Sequence, residues 1–121
     1  MTIEAFIIQK LSEAEALAWI PVSGSVLHPV HDKCVTVEKT GSGRTNRINS
    51  ATIAVQSWAG TRAEAAALND TVKALMDGLI AEDEISDSTL NSDYNYPDLS
   101  TNHPRYQAVY EIVYLMEEQN A

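Results

Sequence analysis

The chain has 121 residues, 45% of them hydrophobic, and its 17 acidic against 8 basic side chains give a net charge of −9. This length fits one domain over residues 1–121, and the hydrophobic share argues against wholesale disorder. A surface so acidic repels phosphate, which argues against sequence-specific binding of nucleic acid. The single cysteine excludes an intramolecular disulfide, and no window approaches the ~18 consecutive apolar residues of a membrane span. We expect a soluble, cytosolic protein without a membrane partner.

The N-terminal segment has the pattern of an amphipathic helix. In residues 2–18, Thr2 can cap the first turn, and apolar residues recur every three or four positions. Two prolines and a glycine in residues 19–34 then predict an extended linking segment, with a short edge strand around Val26.

Two strands joined by a glycine-rich segment are predicted next. Residues 35–39 and 48–59 have the alternation of β-strands, and "TGSGRTN" (40–46) between them has glycines at 41 and 43. We expect a β-hairpin with a long flexible tip rather than a tight two-residue turn.

A second helix is predicted over residues 62–77. Thr61 and Glu64 have the spacing of a capping box, and a stripe of alanine, leucine, valine and methionine follows at helical spacing. Gly78 is placed to end this helix in a left-handed conformation.

The C-terminal third predicts two more strands. One lies near 85–95, the turn-forming segment 97–104 follows, and the last strand starts at Arg105 with its tyrosines on one face. The order helix, strand, strand, helix, strand, strand predicts an α+β fold. We expect an antiparallel sheet of about four strands with two amphipathic helices packed on one face.

A few side chains have types used in chemistry. His28, His31 and Cys34 are zinc-ligating types spaced by three, but a structural site needs a fourth ligand that only Asp32 or the distant His103 could supply. A nucleophile pair of Cys34 and His103 lacks any motif for an orienting group or an oxyanion hole. We predict no catalytic residue, no metal site and no cofactor, hence a protein that is not an enzyme.

Four segments together resemble a known family. These are "TIEAFIIQKL", "VSGSVLHPVHDKCVTVEKTGSG", "INSATIAVQSWAGTRAEAAALNDTVKALM" and "YNYPDLSTNHPRYQAVYEIVYL", which cover nearly the whole chain. They resemble the tail-terminator (tail-completion) proteins of long-tailed phages and prophages. That family has a strand carrying Trp before an amphipathic helix, then a Tyr/Phe-Pro-Asp turn and a final Arg-Tyr strand.

The resemblance implies a structural protein rather than an enzyme. Such a subunit forms a ring, typically a hexamer once assembled, that caps the tail tube and docks it to the head-completion complex. The implied partners are further copies of the chain, the tail-tube protein and a head-completion protein. The implied location is the host cytoplasm during assembly and then the virion tail.

The hairpin tip is the region most strongly predicted to contact a partner. The "YNYPD" turn and the extended segment 22–33 are the second choices. The arginines of the tip suit acidic neighbours in a ring, and tyrosine is common at interfaces because its ring is apolar and its hydroxyl polar. The set is Gly41, Ser42, Gly43, Arg44, Arg47, Tyr94, Tyr96 and Arg105.

Three alternatives stay open at this point. A head-tail connector or head-closure protein shares the size and acidity, and predicts binding on the portal side. A metal-binding or thiol-dependent enzyme would use His28, His31, Cys34 and His103. A small ligand-binding domain would use the tyrosine-lined face and stay monomeric.

Overall fold

One mixed sheet of five strands forms the frame of the computed structural model, which describes residues 1–25 and 33–115. The strands are β1 (Val22–Ser23), β2 (Cys34–Thr45), β3 (Ile48–Trp58), β4 (Ile85–Asn95) and β5 (Arg105–Tyr114). Their order across the sheet is β1-β2-β3-β5-β4. β1 runs parallel to β2, and every other neighbouring pair is antiparallel. The α+β class is confirmed, but the predicted four-stranded antiparallel sheet lacks the short parallel strand at the edge.

The first helix, α1, is shorter than predicted. It spans Ile3–Glu13, with the Thr2 hydroxyl accepting the Ala5 N–H at 3.1 Å. Ala14 is extended (φ −70°, ψ 129°) and ends the helix, and a 3₁₀ turn follows over Glu15–Leu17. This break lets Leu17 reach the core, where it is buried. The edge strand predicted around Val26 falls outside the described residues.

The second helix, α2, spans Arg62–Asp77 as predicted. The Thr61 hydroxyl accepts the Glu64 N–H at 3.2 Å and lies 3.0 Å from the Glu64 carboxylate, to which it donates. The predicted left-handed end at Gly78 is wrong. Gly78 is right-handed (φ −74°), and the chain continues as a 3₁₀ turn over Gly78–Ala81 that buries Leu79.

The predicted long tip between β2 and β3, in place of a tight two-residue turn, is also wrong. Both strands continue to Thr45 and Ile48, which pair with each other. The turn between them is the two residues Asn46 (φ 52°) and Arg47 (φ 68°). Two successive residues of positive φ make a type I′ turn, whose twist matches that of the strands it joins.

Both helices pack on one face of the sheet and share one hydrophobic core with it. The pairing aligns Val37, Val55 and Ala108 in one row across β2, β3 and β5, and Ile53 opposite Tyr110 in the next. All five are buried, together with the apolar stripes of α1 and α2. The last strand was predicted to carry its tyrosines on one face, and on that face Tyr110 and Tyr114 are buried whereas Tyr106 is half-buried.

Polar contacts fix α2 against β4 and β5. The Tyr110 hydroxyl donates to the Asp77 carboxylate at 2.7 Å, and the Lys73 ammonium lies 2.8 Å from Asp93. Burial, and then the neighbouring Asp77, raise the pKa of Tyr110, so this hydroxyl stays protonated as a donor. The hydrogen bond from Lys73 lowers the pKa of Asp93.

Among the described residues, no helix is long and apolar enough to cross a membrane.

We expect Ile53→Ala to lower the free energy of unfolding by about 2–5 kcal/mol, because Ile53 is fully buried in the central strand. Urea denaturation measures this difference. Ile48→Ala in the same strand is the matched control, since Ile48 is 46% exposed, and it should change stability by less than about 0.5 kcal/mol. Equal losses in the two variants would contradict the placement of the core.

Candidate interaction surfaces

The predicted contact residues fall on two separate surfaces. The first is the distal half of the β2–β3 hairpin, residues 40–48, which we call the arm. The second, the aromatic–arginine cluster, comprises Trp58, Tyr94, Tyr96 and Arg105. β3 begins in the arm at Ile48 and ends in the cluster at Trp58. At about 3.3 Å per residue, the two ends are roughly 33 Å apart.

The arm contains Gly41, Ser42, Gly43, Arg44 and Arg47, and every residue from 40 to 48 is exposed. Because exposure does not alternate along this part of β2, both of its faces lie open. Gly41 and Gly43 add no side chains to the face of the arm that carries Ser50 and Thr52 of β3.

The outer edge of the arm is unpaired within the part of the chain that the structure describes. The short strand β1 pairs only with Val35 and Thr36. The N–H of Lys39 is bound by the Glu4 carboxylate at 3.1 Å. From Gly41 onward, no described strand lies on the outer side of β2. A free strand edge offers backbone donors and acceptors to another chain.

Arg105 is the centre of the aromatic–arginine cluster. Its guanidinium lies 4.7 Å from the centre of the Trp58 ring and 4.4 Å from that of the Tyr96 ring. Its Nε donates to the Tyr96 carbonyl at 2.7 Å. The Tyr94 ring meets the Tyr96 ring edge to face, with centroids 5.7 Å apart. The structure therefore brings three predicted residues, Tyr94, Tyr96 and Arg105, into one cluster.

A row of polar side chains connects this cluster to the rest of the sheet. Gln107 donates to the Tyr94 hydroxyl oxygen at 2.6 Å, and Gln56 donates to the Gln107 carbonyl oxygen at 2.7 Å. The Thr36 hydroxyl donates to Gln56 at 2.6 Å and accepts the Trp58 indole N–H at 3.1 Å. The row crosses four strands on the face opposite the helices, and it limits the movement of the aromatic rings.

Sequence reasoning missed most of this row. The alternation of residues along β3 could have indicated it, because Gln56 and Trp58 continue the set of positions that alternates with the helix-facing residues Ala51, Ile53 and Val55. Gln107 has the same position in β5 opposite Gln56. A polar set that repeats at period two across neighbouring strands indicates an ordered second face rather than a solvated one.

The turn between β4 and β5 is confirmed. The Asp98 carboxylate accepts hydrogen bonds from Ser100 at 2.9 Å and Thr101 at 2.7 Å, and these bonds, Thr101 first, lower its pKa. Asn102 is left-handed (φ 62°), a conformation that asparagine tolerates. Leu99 at the tip of this turn is 86% exposed, which adds an exposed apolar side chain close in sequence to Tyr96 of the cluster.

Cys34 and His103 are the described residues of the types used in catalysis or metal binding that the sequence singled out. Cys34 is buried, and burial raises the pKa of its thiol. His103 has a buried Nδ1 without a hydrogen-bond partner in residues 1–25 and 33–115. No group of three or more metal-ligating side chains occurs in those residues. His28 and His31 lie outside them, so the absence of a metal site stays a prediction.

Trp19 is an exposed side chain that the sequence did not single out. It is fully exposed and has a left-handed backbone (φ 71°). This conformation costs a residue with a Cβ atom roughly 1–2 kcal/mol. Single exposed aromatic residues are common on monomers, and Trp19 by itself defines no site.

Comparison with known proteins adds no family. No protein-family model matches the chain, and no curated protein is significantly similar to it. Membership of the tail-terminator family therefore stays a proposal that rests on the residues of this chain.

Arg105→Met should lower the free energy of unfolding by about 1–3 kcal/mol. The substitution keeps an apolar chain but removes two cation–ring contacts and a hydrogen bond. Urea denaturation again measures the difference, with Arg44→Met as the control because Arg44 is exposed in the arm. A loss no larger than that of the control would show that the cluster contributes nothing to stability.

The Cys34 thiol should react with iodoacetamide more than about tenfold slower in the folded protein than in urea, because burial excludes the reagent and raises the thiol pKa. Mass spectrometry follows this single thiol without ambiguity.

The raised pKa of Cys34 also predicts how stability depends on pH. The folded state holds the thiol proton more tightly than the unfolded state, so the contribution of Cys34 to the free energy of unfolding falls as the pH rises above the ordinary pKa of 9.0. Cys34→Ala should keep the fold and remove this fall. Similar alkylation rates in both states would contradict the burial of Cys34.

Proposed function

We propose that the chain is a structural subunit of a phage or prophage tail. In this role it forms a ring that caps the tail tube and docks it to the head-completion complex. The proposal starts from the resemblance of the four sequence segments. The observation that supports it is that two surfaces with exposed side chains of different chemistry, the arm and the aromatic–arginine cluster, lie at opposite ends of one sheet.

A ring subunit needs at least two such surfaces. One must hold the next copy, and another must meet the tube or the head complex. The arm suits the first task because it combines a free strand edge with two exposed arginines. In a closed ring each copy uses two different patches, so the arm of one copy must meet another part of its neighbour. We propose six copies, as in the family that the chain resembles.

The aromatic–arginine cluster suits the second task. Tyr and Arg are among the residue types that most often dominate the binding energy of protein interfaces, whereas Trp58 is buried and packs against Arg105. Tyr96 is 45% exposed and Leu99 is 86% exposed, so part of the cluster and its turn can meet a partner. The row from Thr36 to Tyr94 holds the rings in place, so little side-chain freedom is lost on binding. We propose that this end contacts the tail-tube protein.

Tube polymerisation provides the test. The purified chain, added to polymerising tail-tube protein of the same phage, should bind tube ends and shorten the tubes, as measured by electron microscopy. Tyr96→Ala should weaken capture of the tube protein about tenfold or more, since it removes a central ring of the cluster. Thr89→Ala, an exposed change in β4, is the matched control and should not.

The outcomes separate the candidate functions. Binding of the portal or head-completion protein without binding of the tube would replace tail capping by the head-closure function. A folded chain that binds neither class would overturn both. A single tightly held zinc ion per chain, found by native mass spectrometry, would instead favour the metal-dependent alternative.

A further inference from the structure

The arm lies at the same height in the sheet as an acidic segment on the opposite edge. The pairing places Arg44 opposite Asn49, Asn49 opposite Tyr114, and Tyr114 opposite Ile85. This row therefore runs from the arm in β2 to the first residue of β4. Residues 82–87 around that point, "EDEISD", are called here the acidic edge.

The two edges carry opposite charge. Arg44 and Arg47 are exposed, and neither forms an ion pair within the described residues. Asp83, Glu84 and Asp87 are also exposed and have no cationic partner there, whereas Glu82 is paired with Lys10 at 3.4 Å. A cationic arm is unusual on a chain of net charge −9, and its charge complements that of the acidic edge.

The arm cannot reach the acidic edge of its own chain. β3 and β5 lie between β2 and β4, so the two edges are three strand spacings apart, about 14 Å. Each is also paired to an inner strand and faces away from the other. Any contact between them must form between two molecules.

We propose that the arm of one copy docks on the acidic edge of a second copy of this chain. The strand directions are compatible, because β2 and β4 run in opposite directions within one sheet. Copies related by rotation about an axis along the strands bring these edges together antiparallel. The contact joins two different patches, so it repeats from copy to copy and closes when the rotation divides a full turn.

Side-chain charge, rather than a continuous ladder of backbone hydrogen bonds, carries this contact. The pairing of β4 with β5 is irregular between Ile85 and Asp87. Such a bulge bends the strand and interrupts regular pairing at an edge. The association should therefore weaken as salt screens the exposed charges.

The inference rests on the proposed ring function and names the contact that would build the ring. Its test is a charge exchange between two variants of the full chain. The arm variant is Arg44→Glu/Arg47→Glu, and the edge variant is Asp83→Lys/Glu84→Lys. Sedimentation velocity over a protein concentration series, in low and in high salt, measures self-association of each.

Each variant alone places like charges at the contact, so its dissociation constant should rise about tenfold or more above that of the unmodified chain. An equimolar mixture of the two should restore association, because each arm then meets an edge of opposite charge. Lys33→Glu/Arg62→Glu is the matched control. It reverses two exposed cations outside the arm and should leave the dissociation constant unchanged.

Two results would overturn the inference. One is an unmodified chain that stays monomeric at every concentration and salt. The other is that both variants still self-associate, or that their mixture fails to restore association. In either case the ring would use another contact. The tube-capping experiment tests the proposed function independently. If an arm variant that no longer self-associates through the arm still caps tubes, tube binding and the arm contact are separate properties.

Discussion

Strict alternation of side chains along β3 is the constraint on which the rest of the structure depends. Ala51, Ile53 and Val55 face the helices and are buried, while Gln56 and Trp58 face the opposite side. A shift of one residue in pairing would exchange these two sets. Because β2 and β5 both pair with β3, the same register fixes the core, the polar row and the position of the arm. One central strand thus connects the stability of the domain to both of the proposed contact surfaces.

The two faces of the sheet are stabilised by different means. The helix-covered face is held by apolar burial, completed by the hydrogen bond from Tyr110 to Asp77. The opposite face is held by hydrogen bonds between Thr36, Gln56 and Gln107 and by stacking on Arg105. Thr36 and Gln56 are themselves buried, so on this face a proposed contact with another protein falls to the exposed end at Tyr94 and Tyr96, which the polar row holds in position.

Local signals decided how much of the fold the sequence could predict. The second helix was predicted from end to end because Thr61 caps it directly and its apolar stripe is regular. The tip of the hairpin was predicted wrongly because Gly41 and Gly43 mask strand alternation, although Asn46 suits the turn. The strand β1 was missed because two residues carry no period, and its pairing with Val35 depends on tertiary contact. The cluster was found only in part, since Arg105 and Trp58 are far apart in sequence.

The exposure of the arm on both faces also affects its dynamics. Its hydrogen bonds to β3 can open without exposing the buried core, so its local stability lies below that of the rest of the domain. Arg47 at φ 68° adds a conformational cost at the turn that glycine would not have. A neighbour that holds the arm would suppress this opening. Slowed amide exchange at the arm would then report, residue by residue, how much of the proposed contact is occupied.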